Sequence, residues 1–323
     1  MLWRMIVAGL AVVASAGAAL SQTQDYPVRP IRLLMPQPPA GTSDSIARAL
    51  SPHLTQLLGQ SIVIDNRAGA NGSIAGQLLA LAPADGYTLL YASSSLVNNQ
   101  ILHKPPPYDV LRDFTAISQL TRSPGFLAII NAQAPARTLR ELIETSNNSR
   151  TPFMYASSSI GSNQHVLGEL LNARARANLT HVPYKGLAAA LNAVLSNEVQ
   201  LSFGAPTTSI GHIRAGRLRA VAFSGAQRWL VLPEVPTIGE TVPGFVYESS
   251  WQGFFAPART PARIVQRLQT DIGTAAYLPK LRELLESSGQ VVVASTPQQF
   301  TRFLQVYLKE TAEQFRIAKV QFQ

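Results

Sequence analysis

The fold of this chain is decided by the stretch Ile31-Arg32-Leu33-Leu34-Met35-Pro36-Gln37-Pro38-Pro39-Ala40-Gly41-Thr42-Ser43-Asp44. Its apolar start, Ile31–Leu34, is typical of a buried strand, and the prolines and glycine that follow predict a tight turn. Thr42 or Ser43 then offers an N-cap for a helix predicted over Asp44–Leu58. A helix start presents amide N–H groups without intrahelical acceptors and the positive end of the helix dipole, so this segment predicts an anion site.

A second turn of similar chemistry occurs at Tyr155-Ala156-Ser157-Ser158-Ser159-Ile160-Gly161-Ser162-Asn163-Gln164-His165. Two such turns, facing each other from two lobes, suit the capture of a small carboxylate better than they suit catalysis. Serines after a predicted strand over Thr88–Tyr91 are expected in the same crevice, because ligands of open α/β sheets sit at the carboxyl ends of strands. The candidate ligand-binding residues are therefore Pro39, Ala40, Gly41, Thr42, Asp44, Ser93, Ser94, Ser157, Ser158, Ser162, Asn163 and Gln164.

Asp44 has two interpretations, and the sequence leaves both open. It can be a first-turn acid that stabilises the helix dipole. It can also accept a hydrogen bond from a ligand ammonium or hydroxyl group, or from an ordered water.

The first 21 residues are typical of a secretory signal. Arg4 supplies a positive start, Ile6–Leu20 a short apolar stretch, and Ala19-Leu20-Ser21 a small-residue cleavage site. No later stretch reaches spanning length without charges. We therefore expect an exported, soluble protein that is cleaved near Ser21.

Composition excludes several classes of function. The chain has no cysteine, so a thiol nucleophile, thiolate metal ligands and disulfides are excluded. Loss of Arg4 with the signal leaves 26 basic and 18 acidic residues, a net charge of +8. The basic residues are scattered and form no stripe interleaved with aromatic residues, so nucleic acid is not an expected partner. The 323 residues are enough for two domains.

The order of elements predicts the α/β fold class, because short apolar strands alternate with amphipathic helices. In the C-terminal part, Thr296-Pro297-Gln298-Gln299 resembles a capping arrangement, and an apolar stripe follows it. We interpret this stripe as core packing; it comprises Phe300, Phe303, Leu304, Tyr307, Leu308 and Phe315.

Most motifs for enzymes, cofactors and metals are absent. There is no Gly-x-Ser-x-Gly elbow, phosphate loop or dinucleotide glycine spacing, and the five histidines lack metal-ligand spacing. No cofactor and no metal site is therefore expected, and the chain is not predicted to be an enzyme. One enzymatic alternative stays open, an exported α/β hydrolase that uses Ser162, His165 and Asp44.

At this point the residues resemble a family. Ordered landmarks run from Tyr26 to the C-terminal part of the chain, and as a set they are similar to the Bug-type periplasmic solute receptors of tripartite tricarboxylate transporters. These landmarks are Tyr26-Pro27, Pro38-Pro39-Ala40-Gly41-Thr42-Ser43-Asp44, Asp65-Asn66-Arg67-Ala68-Gly69-Ala70, Asp85-Gly86-Tyr87-Thr88-Leu89-Leu90, Pro107-Tyr108-Asp109, Gly161-Ser162-Asn163-Gln164-His165, Val182-Pro183-Tyr184-Lys185-Gly186, Gly216-Arg217-Leu218-Arg219-Ala220, Leu232-Pro233-Glu234-Val235-Pro236-Thr237 and Trp251-Gln252-Gly253-Phe254-Phe255-Ala256-Pro257.

The resemblance implies a two-lobed periplasmic-binding-protein fold of type II, a Venus flytrap with two crossing hinge strands. Lobe 1 would comprise residues 26–124 plus 250–323, and lobe 2 residues 125–249. The two turns would hold a carboxylate between the lobes, largely through backbone amides and water, and Ala205 and Pro206 join the candidate ligand contacts.

The receptor would be a periplasmic monomer that delivers its solute to separate membrane permease subunits. A solute-presenting co-receptor for a membrane sensor stays open as an alternative. Two departures from the family pattern bear on specificity. Ala40-Gly41 stands where two glycines are usual, and Gly204 stands where relatives commonly carry an aspartate.

Overall fold

The computed structural model describes residues 26–39, 42–247, 250–287 and 289–320, without the side chains of Thr42, Thr207 and Ser250. The predicted signal segment, residues 1–21, lies outside the described residues. So do two candidate ligand residues, Ala40 and Gly41.

Eleven strands are present in the described residues. They are β1 Ile31–Met35, β2 Ile62–Asn66, β3 Thr88–Ser93, β4 Phe114–Ser123, β5 Leu127–Asn131, β6 Phe153–Ser157, β7 Leu179–Pro183, β8 Leu201–Gly204, β9 Leu218–Phe223, β10 Ser250–Pro257 and β11 Val291–Val292.

Eleven α-helices accompany them in the same ranges, with one 3-10 turn at Ala70–Gly72. The helices are α1 Thr42–Leu58, α2 Ser73–Ala80, α3 Ser95–Leu102, α4 Leu139–Asn148, α5 Asn163–Ala175, α6 Leu187–Leu195, α7 Pro206–Arg214, α8 Ile238–Thr241, α9 Ala262–Ala276, α10 Pro279–Ser287 and α11 Pro297–Ile317. In the described parts of the chain, no helix combines the length and the apolar character that crossing a bilayer requires.

The strands form two sheets, which confirms the two-lobed α/β architecture. The first sheet has six strands in the order β11-β4-β10-β3-β1-β2, and the second has five in the order β7-β6-β8-β5-β9. We call the first sheet with α1–α3 and α9–α11 lobe 1, and the second sheet with α4–α8 lobe 2. Lobe 1 takes its strands from both ends of the chain. The residue bounds given above for the lobes stay a prediction.

Helices cover both faces of the sheets, which explains why inner strands such as β3 and β5 are nearly continuous buried runs instead of alternating ones. In β1, Ile31, Leu33 and Met35 enter one buried cluster and Leu34 enters the cluster on the opposite face. Lobe 2 is built in the same way, with Ala128 of β5 on one face and Leu127 on the other. Each lobe is therefore a three-layered helix–sheet–helix body.

The chain crosses between the lobes after β4 and again before β10. These two strands are antiparallel neighbours in sheet 1, and Ser123 pairs with Ser250 at the end nearer lobe 2. At the start of lobe 2, Ser224 Oγ accepts from the amide of Phe126 at 2.9 Å and donates to the Tyr247 carbonyl at 2.7 Å. The two crossing segments are thereby joined to each other.

Helix α11 contributes to both lobes. Phe300, Leu304 and Tyr307 lie in a core of lobe 1, whereas Phe315 lies in a core of lobe 2. The predicted core stripe is therefore confirmed, and so is the capping arrangement, since Thr296 and Gln299 form a reciprocal capping box.

Two local predictions were wrong. Helix α1 begins at Thr42, so Thr42 and Ser43 are helical residues and not its N-cap. First-turn amides need no intrahelical acceptor, so helical backbone can start before the apolar periodicity shows it. The second concerns the strands, because the apolar runs of the sequence predicted no strand at β4, β10 or the short β11.

Candidate functional site

Except for Ala40 and Gly41, which lie outside the described residues, the predicted ligand residues lie at the carboxyl ends of strands or at the start of the helix that follows, in both lobes. In lobe 1, β1 is parallel to β2 and to β3. In lobe 2, β6 is parallel to β7 and to β8. We call residues 36–41, between β1 and α1, the first loop. Residues 158–162, between β6 and α5, are the second loop.

The start of α5 lies against the start of α3 across the two lobes. Asn163, the first residue of α5, donates from Nδ2 to Ser94 Oγ at 2.9 Å, and Ser94 occupies the N-cap position of α3. Asn98 of α3 donates to the Gly161 carbonyl at 3.0 Å. Tyr247 donates from its hydroxyl group to Asn163 Oδ1 at 3.2 Å. Two helix N-termini therefore meet where the lobes meet.

The first loop is bordered by a charged network. The Asp44 side chain is 2% exposed, and Oδ2 accepts from Arg48 Nε at 2.8 Å. Asn66 Nδ2 donates to Asp44 Oδ1 at 3.0 Å. The hydrogen bond that Arg48 donates to Asp44 raises the pKa of Arg48. Asp44 is thus a first-turn acid with protein partners, while its role toward a ligand stays a prediction.

The serine side chains of the second turn have protein partners, most of them within the turn, while Ser159 Oγ donates to Asn71 Oδ1 of lobe 1 at 3.4 Å. Ser157 Oγ lies 2.6 Å from His181 Nε2 and donates to the Ser159 carbonyl at 2.9 Å. Ser158 donates to Gln164 Oε1 at 3.0 Å, and Ser162 accepts from the His165 amide at 3.4 Å as the N-cap of α5. Backbone amides at the start of α5 are therefore the donors best placed for an anion.

A pair of stacked histidines lies beneath the second loop. The rings of His165 and His181 are 3.8 Å apart and nearly parallel. His165 Nδ1 accepts from the Gly161 amide at 3.0 Å. Burial lowers the pKa of His165 to about 4, and burial with the neighbouring ring lowers the pKa of His181 to about 3. Both rings are therefore neutral near pH 7.

The remaining candidate ligand residues make fewer contacts with the two loops. Pro39 is exposed in the first loop. Ser93 Oγ lies 3.1 Å from Ser95 Oγ. Ala205 is the N-cap residue of α7 and Pro206 its first residue, so these two stand at a further helix start that follows a strand end.

The hydrolase triad is not assembled. Ser162 bonds to the His165 backbone rather than to its ring, and the ring accepts from Gly161. Asp44 bonds to Asn66 and Arg48. Within the ranges that the structure describes, no group of three or more acidic, histidine or cysteine residues could hold a metal ion.

Several residues of the site were not found from the sequence as functional candidates: Asn66, Asn98, His181 and Tyr247. Asn66 belongs to a landmark segment and could have been noticed there. The other three have no local signal, because their roles arise from contacts between residues that are distant along the chain.

Comparison with known proteins shows what the chain is similar to. A family model described as the tripartite tricarboxylate transporter family receptor matches residues 46–318. Protein BugT of Bordetella pertussis is 35% identical over 296 residues, which cover 90% of each chain.

Solved structures give the same result. The periplasmic binding protein BugD is 29% identical with a TM-score of 0.83, covering 92% of this chain and 100% of its own. R. palustris Rpa4515, solved with adipate, is 30% identical with a TM-score of 0.84, covering 92% and 99%. MatC from Rhodopseudomonas palustris, solved with bound malate, is 27% identical with a TM-score of 0.81, covering 90% and 99%.

Proposed function

This chain belongs to the tripartite tricarboxylate transporter receptor family, and from that premise we propose that it captures a small organic carboxylate between its lobes and delivers it to a membrane permease. Members of the family are receptors and not enzymes, in agreement with the sequence prediction. Binding of adipate by Rpa4515 and of malate by MatC supports a carboxylate as the solute.

One observation carries the proposal: the starts of α3 and α5 meet across the lobes through the Asn163–Ser94 hydrogen bond of 2.9 Å. Each helix start carries a partial positive charge of roughly half a unit, so two starts brought together repel each other. An anion held at both starts removes this repulsion and accepts their free amide hydrogens. A carboxylate therefore favours the closed arrangement of the lobes, and binding and closure become one event.

The test is thermal unfolding of the mature protein with a panel of mono-, di- and tricarboxylates, including adipate and malate. The protein is first unfolded and refolded to remove any carried-over ligand. A ligand at a hundred times its Kd should stabilise the fold by about 2.7 kcal/mol, which raises Tm by a few degrees. If no acid in the panel raises Tm, carboxylate capture is contradicted.

Delivery and location follow from the same premise. The family description and the periplasmic location of BugD support a periplasmic receptor that serves a permease, and we propose that it acts as a monomer. Deletion of the gene should abolish uptake of the identified acid, and light scattering should give the mass of one chain. Undiminished uptake would contradict the transport role.

A further inference from the structure

Asn66 lies beside the point where the first loop leaves its strand. It ends β2 and pairs with Met35, the last residue of β1, in the parallel register of these strands. The chain then runs through the loop and enters α1 at Thr42. Asn66 therefore lies next to the start of the first loop, although it belongs to the neighbouring strand β2.

The amide of Asn66 contacts both ends of the loop. Its Nδ2 donates to the Gln37 carbonyl at 3.0 Å, near the start of the loop, and to Asp44 Oδ1 at 3.0 Å, in the first turn of α1. Its Oδ1 accepts from Arg48 Nη2 at 3.3 Å. The carbonyl of Gln37 can only accept, so the orientation of the amide is fixed.

Asp44 and Arg48 close this arrangement into a triangle. Asp44 Oδ2 accepts from Arg48 Nε at 2.8 Å, and its side chain is almost fully buried. A buried carboxylate that loses one partner is strongly destabilised, so the three side chains hold one another in place. Asn66 therefore bridges Gln37 and Asp44.

We propose that Asn66 is a positioning residue for ligand binding, which fixes the span between the end of β1 and the first turn of α1 without touching the ligand. The proposal rests on the proposed function and adds to it the start of α1, which the sequence predicts to be an anion site. Holding the first turn of α1 against the end of β1 before the ligand arrives lowers the cost of ordering that turn on binding, and this saving appears as affinity.

The first variant is Asn66→Asp, which keeps the shape but places a carboxylate against the Gln37 carbonyl and the Asp44 carboxylate. The panel acid that stabilises the wild type most, adipate in the first instance, should bind about tenfold more weakly by calorimetry. Asn66→Ala removes the amide without new charge and serves where Asn66→Asp folds poorly.

The matched control is Asn172→Asp. Asn172 also joins backbone segments, donating to the Leu179 carbonyl at 2.9 Å and accepting from the Leu179 amide at 3.0 Å, but it does so in lobe 2 far along α5 from its start. This variant should lose stability and keep the Kd of the wild type. Equal loss of affinity in both variants, or none in Asn66→Asp, would overturn the proposal.

Two further measurements separate positioning from general damage. The double variant Asn66→Asp, Asp44→Asn restores one amide–carboxylate contact and should recover part of the lost affinity. Without any ligand, hydrogen exchange at the amides of residues 43–46 should be faster in Asn66→Asp and unchanged in Asn172→Asp. If the wild type binds no acid, the proposed function fails, and unchanged exchange in Asn66→Asp would still refute the positioning role.

Discussion

The first and second loops occupy equivalent places in the two lobes, yet different chemistry holds each of them. The first is fixed from outside by an ionic network of Asp44, Arg48 and Asn66. The second is fixed from beneath by neutral rings, His165 and His181, and by its own serines. Carboxylate and guanidinium keep their charges near neutral pH, whereas the ordinary pKa of imidazole, about 6.5, is far above the values that burial gives these two rings. The loops should therefore fail under different conditions.

The largest expected effect comes from Gly161→Ala, which tests how rigid the second loop is. Gly161 has φ +74°, and a Cβ there would lie 2.0 Å from Leu102 Cδ1 in a buried cluster. Backbone strain and overpacking together should lower the free energy of unfolding by about 3 kcal/mol in urea titrations. Gly216→Ala is the control, because Gly216 has φ +65° but open space around it. It should cost only about 1 kcal/mol, and equal losses would refute the steric argument.

Acid should weaken the second loop selectively. His165 and His181 have pKa values lowered to about 4 and about 3, against about 6.5 in the unfolded chain. Between pH 6.5 and pH 4 the unfolded chain binds more protons than the folded protein. The free energy of unfolding therefore decreases as pH falls from 6.5 toward 4. Tyr155 packs against the His181 ring, and its hydroxyl group donates to Glu169.

The measurement is the free energy of unfolding at pH 7 and at pH 5, where the loss should be on the order of 2 kcal/mol. His181→Gln removes one of the two titrations and should make the pH dependence shallower. A wild type as stable at pH 5 as at pH 7 would show that the pair carries no such linkage.

The smallest expected effect is that of Asn163→Ala, which tests the contact between the start of α5 and the start of α3. The variant loses the hydrogen bonds to Ser94 and Tyr247, worth about 1 kcal/mol, so carboxylate affinity should fall roughly fivefold. Because the bond to Ser94 joins the lobes and the bond to Tyr247 holds the Asn163 side chain within lobe 2, calorimetry should show the same factor for adipate, malate and succinate. A loss confined to one acid would instead indicate direct ligand contact. Asn148→Ala on the surface of α4 is the control and should leave affinity unchanged.

The local sequence pattern was enough to predict the strand–turn–helix units, because the apolar runs and turn residues of each unit are contiguous in the chain. It failed for β4 and β10, since both carry polar residues that are buried in the sheet. Gln252 accepts from the Tyr91 hydroxyl at 2.5 Å, and Thr121 donates to Gln290 at 3.1 Å. Because those partners are remote in sequence, the polar residues of β4 and β10 are easily taken for exposed residues when only the local sequence is considered.

The site shows the same division. Ser162 caps α5, the helix that directly follows it, and this role depends on local sequence alone. The pairing of Asn163 with Ser94, and of Ser157 with His181, depends on which strands become neighbours. No single segment contains that information.

The place of β10 in lobe 1 has a consequence for the order of folding. It lies between β3 and β4, and its contact with β3 joins residues 161 positions apart. Sheet 2, by contrast, is complete within residues 127–223. Long-range pairing forms slowly, and unpaired strand edges are prone to aggregation. We expect lobe 2 to fold first. The facing edges of β3 and β4 stay unpaired until β10, from the last quarter of the chain, pairs with both strands.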